Sequence, residues 1–303
     1  MIALLLAIVT AFFFPGIIVR VKSIVSGRKG PGIFQPWKNI LLLLRKGSVF
    51  STTSSYIFRI APVIYLATLV CAILLLPFPG LSSGFSFTGD FILLAYLLAL
   101  GKFFFIIGAL DTGSSFEGMG ANREALYSML AEPAFFILFG TLAMLTGHSS
   151  MQSIFDQIRM TGYGPVISGM IAVYILMQIA MIENSRMPVD DPKTHLELTM
   201  IHEVMILDNS GFDLALIQIG TNLKFALYGI LIANILIPIN WILPYRLALF
   251  FGIQVVFSGS IGLMESFRAR KKMMKNPQFI VTLSSIALVG FILSLLMIYQ
   301  LIR

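Results

Sequence analysis

Residues 91–110 read FILLAYLLALGKFFFIIGAL, a stretch in which Lys102 is the only charged side chain. A helix of about 20 apolar residues is what a hydrocarbon core of roughly 30 Å requires, so the stretch predicts a transmembrane helix. A lone ionisable group at that depth is costly unless it faces a polar cavity or a partner. Lys102 is therefore a candidate functional residue within a predicted span.

The rest of the chain repeats this pattern. Of its 303 residues 57% are hydrophobic and 12% are charged, and the mean hydropathy is +0.91, which is too apolar for a soluble domain with a wet surface. We expect an all-α integral membrane protein, a single membrane domain over residues 1–303, with about eight transmembrane helices. The predicted spans are Ile2–Val19, Ile60–Leu76, Phe91–Leu110, Ala125–Leu145, Val166–Ile182, Leu214–Ile237, Leu247–Met264 and Phe279–Ile302. The N-terminal MIALLLAIVTAFFFPG has no basic segment and no small-residue cleavage pattern, so we interpret it as the first span and not as a signal peptide.

Lysine and arginine are unevenly distributed between the predicted loops. Most of the 21 basic residues fall in the loops after spans 1, 3, 5 and 7. By the positive-inside rule these loops face the cytoplasm and both termini are extracytoplasmic. The formal net charge of +7 is then a topology signal and does not point to nucleic-acid binding. We expect a multi-pass protein of the inner (plasma) membrane.

The first long loop carries the sequence QPW at Gln35, Pro36 and Trp37, followed by KNILLLLRK. This pattern predicts an amphipathic helix that places leucine and isoleucine in the membrane interface and keeps its lysines and arginine in water. A simple anchor for the loop would have the same pattern. The chain has a single cysteine, Cys71, which cannot ligate an iron–sulfur cluster alone, so any redox metal is expected in a partner subunit.

Acidic residues are concentrated in one predicted cytoplasmic loop. Half of the 14 carboxylates in the chain lie there, namely Glu183, Asp190, Asp191, Glu197, Glu203, Asp208 and Asp213. Several alternate with apolar residues in HLELTMIHEVMIL, so they are expected to lie against apolar surface, where burial brings a carboxyl pKa towards neutrality and a row of such groups can pass protons. The alternative is an ordinary solvated acidic loop. A metal site is not expected, because His195 and His202 are about 10 Å apart along a helix and no HExxH pattern is present.

Further ionisable residues fall inside the predicted spans. Besides Lys102 these are Lys224 and Glu132, which precedes Pro133. Each is a candidate for ion transfer, and the alternative for each is a structural ion pair. Glu265, at the end of the seventh span, is expected to cap that helix and to balance Arg268.

Four motifs in this order resemble a known family: GRKGPGIFQPW at 27–37, LDTGSSFEGMGANREALYSMLAEP at 110–133, ENSRMPVDDPKTHLELTMIHEVMILDNSG at 183–211, and LMESFRARKK at 263–272. They resemble the subunit 1 family of respiratory complex I, and more closely its counterpart in membrane-bound group 4 nickel–iron hydrogenases of the formate hydrogenlyase and hydrogenase-4 type. Compared with complex I proteins, the first loop has only Gly30-Pro31-Gly32 in place of a longer GPNxxGP-type stretch, and Asn39 replaces an acid. The short glycine–proline stretch favours the hydrogenase branch over a quinone chamber, and Asn39 predicts a different first contact with the peripheral arm.

The resemblance implies a non-catalytic subunit that anchors a peripheral arm and begins a proton path. The arm would contain hydrogenase-like large and small subunits and iron–sulfur proteins, with the nickel–iron centre and the clusters in those partners and no cofactor in this chain. Antiporter-like membrane subunits would receive the protons. The residues expected on the proton path are Glu132, Glu183, Asp190, Asp191, Glu197, Glu203, Asp208, Lys102, Lys224 and His202. Those expected at the peripheral-arm interface are Gln35, Pro36, Trp37, Arg123, Arg186 and His195.

Three alternatives remain open at this stage. The chain could line the quinone chamber of an NADH-quinone oxidoreductase-like complex, beside span 1 and the QPW helix. It could also be an independent proton or cation transporter that needs no partner, or a purely structural anchor. Quinone-dependent activity would favour the quinone chamber, and transport by the protein alone would favour the independent transporter. Full coupling in acid-to-amide variants would favour the structural anchor.

Overall fold

The computed structural model describes residues 2–81, 83–158, 163–190 and 200–299, and this part of the chain is almost entirely helical. It contains eight helices that are long and apolar enough to cross a membrane, which confirms the predicted multi-pass architecture. These are α1 (Ile2–Val25), α3 (Tyr56–Leu75), α4 (Asp90–Asp111), α5 (Ser115–Thr146), α7 (Tyr163–Glu183), α9 (Gly211–Leu236), α10 (Leu243–Phe267) and α11 (Asn276–Ile298). Three shorter helices are α2 (Gln35–Leu44), α6 (Met151–Gln157) and α8 (His202–Met205).

Helix α9 lies at the centre of the bundle. Of its membrane-spanning part 83% of the residues are buried, compared with 28% for α4 and for α11, so α9 has almost no surface left for lipid. It packs against α1, α2, α3, α7 and α10. Any polar side chain on α9 must therefore find its partner within the protein.

The predicted amphipathic helix is α2. Its Ile40 is buried, whereas Leu41 and Leu42 are exposed beside charged neighbours, as expected for a helix lying in the membrane interface. The Trp37 ring packs on Phe12 of α1 with 4.7 Å between ring centroids. This contact ties α2 to the first transmembrane helix.

Helix α5 begins ten residues before the span predicted at Ala125. Hydropathy marks only the part of a helix that lies in lipid, and residues 115–124 extend beyond that part. They lie at the end of the bundle that carries most of the lysines and arginines, which we call the basic end. One side of the extension, with Glu117, Gly120 and Glu124, is buried. A Cβ atom added at Gly120 would lie 2.8 Å from the Ile201 carbonyl oxygen, so only glycine allows the chain to approach α5 there.

The chain that covers this extension runs from residue 184 to residue 210 and is called the α7–α9 segment. Its described residues fold back against the bundle, and Ser185, Val189, Asp190, Ile201 and Val204 are buried. The described residues of the predicted acidic loop are therefore mostly buried. Asp191, His195 and Glu197 lie outside the described residues.

Candidate functional site

Four charged side chains from four different helices meet inside the bundle. Lys102 of α4 places its Nζ atom 2.9 Å from Glu124 Oε1 of α5 and 2.9 Å from Glu183 Oε2 of α7. Lys224 of α9 places its Nζ atom 2.7 Å from the same Glu183 Oε2. We call these four residues the ion-pair cluster. Two lysines and two glutamates balance each other, which is the condition under which charges are tolerated away from water.

Close helix packing brings the two lysines together. A Cβ atom at Gly101 of α4 would lie 2.3 Å from Thr68 Oγ1 of α3, and one at Gly220 of α9 would lie 2.5 Å from the Tyr65 ring. Glycine at these two positions lets α4 and α9 approach α3 from either side. Lys102, the next residue of α4, and Lys224, four residues further along α9, then reach the same carboxylate.

Neighbouring groups fix the orientation of the cluster. Lys224 Nζ also donates to the main-chain oxygen of Glu183 at 2.9 Å, and Ser185 Oγ donates to Glu124 Oε2 at 3.2 Å. Glu183 is the last residue of α7, and Ser185 belongs to the α7–α9 segment. Any displacement of the segment would therefore move the Ser185 contact to Glu124, next to the point where the segment joins α7 at Glu183.

A cavity of about 70 Å³ adjoins the cluster between α4 and α5. Glu183, Ser128 and Tyr228 line its inner part, and Glu132 and Tyr96 line its outer part. A buried water needs roughly 10–15 Å³ of such space and a few polar partners, so the cavity can hold a short water chain. It joins the buried carboxylate of Glu183 to the exposed side chain of Glu132.

Glu265 organises a second set of charges at the basic end. Its Oε2 atom lies 2.8 Å from Lys22 Nζ, and its Oε1 atom lies 3.2 Å from Arg186 Nη1. The Arg186 guanidinium also lies over the Phe225 ring, 5.2 Å from its centroid. The prediction that Glu265 balances Arg268 is therefore wrong. Lys22 of α1 and Arg186 of the α7–α9 segment are its partners.

Asp190 and Arg123 hold the same segment in place. Asp190 Oδ1 pairs with Arg270 Nη2 at 2.7 Å, and its Oδ2 atom accepts from the main-chain N–H groups of Ile201 and His202. Arg123 Nη1 donates to the Met200 carbonyl at 3.1 Å. Both Arg123 and Arg186 are thus engaged within the chain at the positions predicted to meet a peripheral arm.

His202 lies beside the ion-pair cluster, stacked on Phe105 with 5.2 Å between ring centroids. Burial lowers the pKa of His202 to about 4; the Glu124 carboxylate opposes this shift, and Lys224, Lys102 and Arg186 add to it. The imidazole is therefore neutral at neutral pH. A neutral imidazole can both donate and accept a proton.

The remaining candidates are more peripheral. Glu203 is half-buried, whereas Asp208 is exposed and its N–H donates to Glu117 Oε1 at 3.1 Å, near the start of α5. Gln35 is exposed on α2, and Pro36 and Trp37 are half-buried there. The structure thus joins Lys102, Lys224 and Glu183 directly, with Glu132 across the cavity.

Glu124 is the member of the cluster that sequence reasoning missed. It lies just before the predicted span Ala125–Leu145, so it is not among the candidate residues. A prediction that began the helix at Ser115, where α5 begins, would have included it.

Comparison with known proteins agrees with this architecture. The sequence profile of the family described as NADH dehydrogenase matches residues 1–297. The chain belongs to the NADH dehydrogenase family. Within it, the chain is 32% identical to hydrogenase-4 component C of Escherichia coli (strain K12) over 225 residues, which is 74% of this chain and 70% of that protein. These matches confirm the resemblance inferred from the motifs.

Two further relatives and one solved structure extend the comparison. The chain is 29% identical to formate hydrogenlyase subunit 4 of the same E. coli strain, over 74% of this chain and 72% of that protein. It is 23% identical to NADH-ubiquinone oxidoreductase chain 1 of Cyanidium caldarium, over 76% and 67%. A chain in the structure of the membrane-bound sulfane sulfur reductase, an archaeal respiratory membrane complex, superposes with a TM-score of 0.82 over 96% of both chains. At 19% identity that likeness concerns the fold.

Proposed function

We propose that this chain is the membrane anchor and proton-path subunit of a group 4 hydrogenase-like complex. It links a cytoplasmic arm, which carries the nickel–iron centre and iron–sulfur clusters in other subunits, to ion-translocating membrane subunits. The names of its relatives support membership of such a complex. The observation that carries the proton path is the ion-pair cluster beside a cavity that leads to Glu132.

Glu183 is the residue best suited to accept a proton. Both lysines approach its Oε2 atom, whereas its Oε1 atom has only the long contact of 3.5 Å from Ser128 Oγ. Because Glu183 also lines the cavity, Oε1 is the oxygen that a water chain can reach. A proton on Oε1 neutralises the carboxyl and leaves one lysine charge uncompensated, which favours release of a proton further along the path.

The α7–α9 segment is the element that couples this site to the arm. Arg186 and Asp190 tie the segment to α10 and to the chain after it, while Glu183 and Ser185 carry its position into the cluster. A redox step near the basic end that changes the charge at the segment changes the lysine–glutamate distances. Neutral His202, which belongs to the segment and has Glu124 among its electrostatic neighbours, is the candidate for delivering the proton.

The basic end faces the cytoplasm in this proposal. There α2 presents exposed Gln35, and the segment presents exposed Asp208, to the peripheral arm. Pro36 lies in the first turn of α2, where Trp37 fixes the helix on α1, and Arg123 and Arg186 hold the segment that the arm would contact. Since Cys71 is the only cysteine of the chain, the thiolates for iron–sulfur clusters come from the partners.

Affinity purification in mild detergent tests the assembly. A tagged chain should co-purify with a nickel-binding large subunit, iron–sulfur proteins and an antiporter-like membrane subunit, identified by mass spectrometry. Reproducible recovery of the folded chain alone would overturn the proposal and favour the independent transporter.

The proton path is tested in membrane vesicles that contain the whole complex. Glu183→Gln and Glu132→Gln should abolish the pH gradient formed during electron transfer, because each removes a proton-binding group. Asp156→Asn, an exposed carboxyl beyond the spanning helices, is the matched control and should leave the gradient unchanged. Full gradients in both Gln variants would support the structural anchor instead.

A second candidate function rests on a separate cavity between α1 and α10. Its volume is about 230 Å³, and its lining includes Phe13, Phe14, Ile33 and Phe251. Gln254 also lines it, and both polar atoms of its side-chain amide lack a hydrogen-bond partner. An apolar slot with one free amide suits a quinone ring and its tail. Quinone-dependent turnover that Gln254→Leu reduces would favour this candidate, and hydrogen-dependent turnover without quinone would exclude it.

A further inference from the structure

The connection between α10 and α11, residues 268–275, is strongly basic. It contains five basic residues, namely Arg268, Arg270, Lys271, Lys272 and Lys275. Residues 266–303 contain no acidic residue, so no carboxylate of this stretch balances them. The side chains of Arg268, Lys272 and Lys275 are exposed. Such a group of cations at a membrane surface attracts anionic lipid headgroups.

Two exposed apolar side chains flank these charges. Phe267, the last residue of α10, is 77% exposed, and Met274 is 89% exposed. Phe267 continues the exposed row of Val256 and Leu263 on α10, because residues four and seven apart lie on one face of a helix. Met274 stands seven residues before Val281, which is exposed on α11. Both side chains therefore extend the outer surface of the bundle to its basic end.

The length of α10 places this connection at the membrane surface. The helix has 25 residues, about 38 Å at 1.5 Å per residue, which slightly exceeds a hydrocarbon core of about 30 Å. Residues 268–275 then lead directly into α11, a connection too short to rise far above the surface. Phe267 and Met274 thus lie where headgroups meet acyl chains. The positive-inside rule accounts for the basic residues, but it does not require these apolar ones.

The inner side of the connection is attached to the α7–α9 segment. Arg270 Nη2 pairs with Asp190 Oδ1 at 2.7 Å. The main-chain N–H of Lys271 donates to the Pro188 carbonyl at 3.1 Å. A ligand that holds the outer side of the connection therefore also restricts residues 188–190.

We propose that the α10–α11 connection binds the headgroups of anionic phospholipids and that this contact stabilises the position of the α7–α9 segment. The lipid phosphates contact Arg268, Lys272 and Lys275, while Phe267 and Met274 insert beside the acyl chains. A protein partner in the cytoplasm would not explain apolar side chains aligned with the outer rows of two transmembrane helices. The proposal goes beyond the proposed function, since it requires neither a proton path nor a peripheral arm.

Photo-crosslinking in nanodiscs tests the lipid site. The purified full-length protein, with any subunits that co-purify, is embedded in a mixture of phosphatidylglycerol and phosphatidylcholine. A photoreactive amino acid replaces Met274, and the matched control replaces Tyr245, which is 61% exposed at the other end of α10. Position 274 should crosslink to phosphatidylglycerol beyond its share of the mixture, and position 245 in proportion to that share.

Charge variants assign the enrichment to the connection. Arg268→Gln, Lys272→Gln and Lys275→Gln should each lower the enrichment of phosphatidylglycerol at position 274 by up to about fivefold, the contribution of one basic residue near an anionic surface. Arg59→Gln removes an exposed cation from α3, which packs against α1, α4 and α9. This control should leave the enrichment at position 274 unchanged.

Hydrogen–deuterium exchange tests the effect on the segment. Exchange in residues 184–190 should be slower in nanodiscs that contain phosphatidylglycerol than in phosphatidylcholine alone. The variant with all three substitutions should abolish this difference.

Two results would overturn the lipid site: crosslinks from position 274 that follow the bulk lipid composition or go to a protein subunit, or an enrichment that survives all three substitutions. Exchange in residues 184–190 that does not depend on the lipid would overturn the effect on the segment. The proposed function is judged separately, by co-purification and by the pH gradient, so its failure would leave both lipid results standing.

Discussion

The two ends of the bundle use polar side chains in different ways. At the end opposite the basic end, Asp90 accepts from the Met151 N–H at 2.6 Å, Asn234 donates to the Pro77 carbonyl at 2.9 Å, and Arg246 donates to the Pro79 carbonyl at 2.5 Å. Each bond ties a side chain to the backbone of a segment that connects two long helices. At the basic end and in the adjoining cluster, the acids pair with lysines and arginines, and all ion pairs found among the described residues are there.

The difference separates a structural role from a responsive one. An amide and a guanidinium keep their charge near neutral pH, so the bonds of Asn234 and Arg246 to backbone carbonyls persist whatever the proton occupancy of the cluster. A carboxylate shared between two lysines can gain a proton and redistribute its partners. The chemistry of this protein is therefore expected in the half that contains Glu183, and the opposite half should behave as a scaffold.

The largest expected effect comes from unbalancing the cluster. Glu183→Gln leaves two buried lysines with one carboxylate, and breaking a buried pair typically costs about 3–5 kcal/mol. The variant should unfold at a markedly lower temperature in detergent, followed by tryptophan fluorescence.

The double variant Glu183→Gln with Lys224→Met restores the balance, because Lys102 and Glu124 remain paired. It should recover part of the lost stability. A double-mutant cycle of the two single variants and the double variant should therefore give a coupling energy well above zero. Unchanged stability of the single variant would show that the four charges do not depend on one another.

A smaller effect is expected from the charges that hold the α7–α9 segment. Glu265→Gln weakens the contacts to Lys22 and Arg186, and hydrogen bonds between charged groups are worth about 1.5–3 kcal/mol. Hydrogen–deuterium exchange should rise in residues 184–190. Asn234→Ala, the control from the opposite end, should raise exchange near Pro77 only; a rise confined to α10 in the Glu265 variant would contradict the tie to the segment.

The pH dependence of stability should contain a component from His202. Its pKa of about 4 is below the ordinary 6.5, so the folded state binds fewer protons than the unfolded chain in that interval. This component is fully present above pH 6.5 and is lost as the pH falls towards 4, by at most about 1.4 kcal/mol per pH unit. Between pH 6.5 and pH 4, the temperature of thermal unfolding should fall less steeply with pH for His202→Gln than for the unmodified protein. The same dependence on pH in both proteins would mean that His202 titrates normally.

The smallest effect is expected at Asp156. Burial raises the pKa of this carboxyl, but the residue is exposed in a short helix at the opposite end. Asp156→Asn should change the free energy of unfolding by less than about 0.5 kcal/mol. A larger loss of stability, or a loss of the pH gradient, would break the contrast between the two ends.

The sequence predicted the spans well because hydropathy over about 20 residues depends on local composition alone. It also singled out Lys102, Lys224 and Glu183, since a charge within or beside an apolar stretch is conspicuous. It could not say that they pair, because pairing depends on which helices are neighbours. Glu124 was missed for a related reason: the helix continues past the lipid, where hydropathy carries no signal.

Infrared difference spectroscopy of the whole complex tests the central claim most directly. Reduction should produce a protonated-carboxyl band that shifts in heavy water, because a proton reaches Glu183 Oε1 from the cavity. The band should disappear in the Glu183→Gln with Lys224→Met variant and persist in Asp156→Asn. An identical band in all three proteins would contradict proton transfer at the ion-pair cluster.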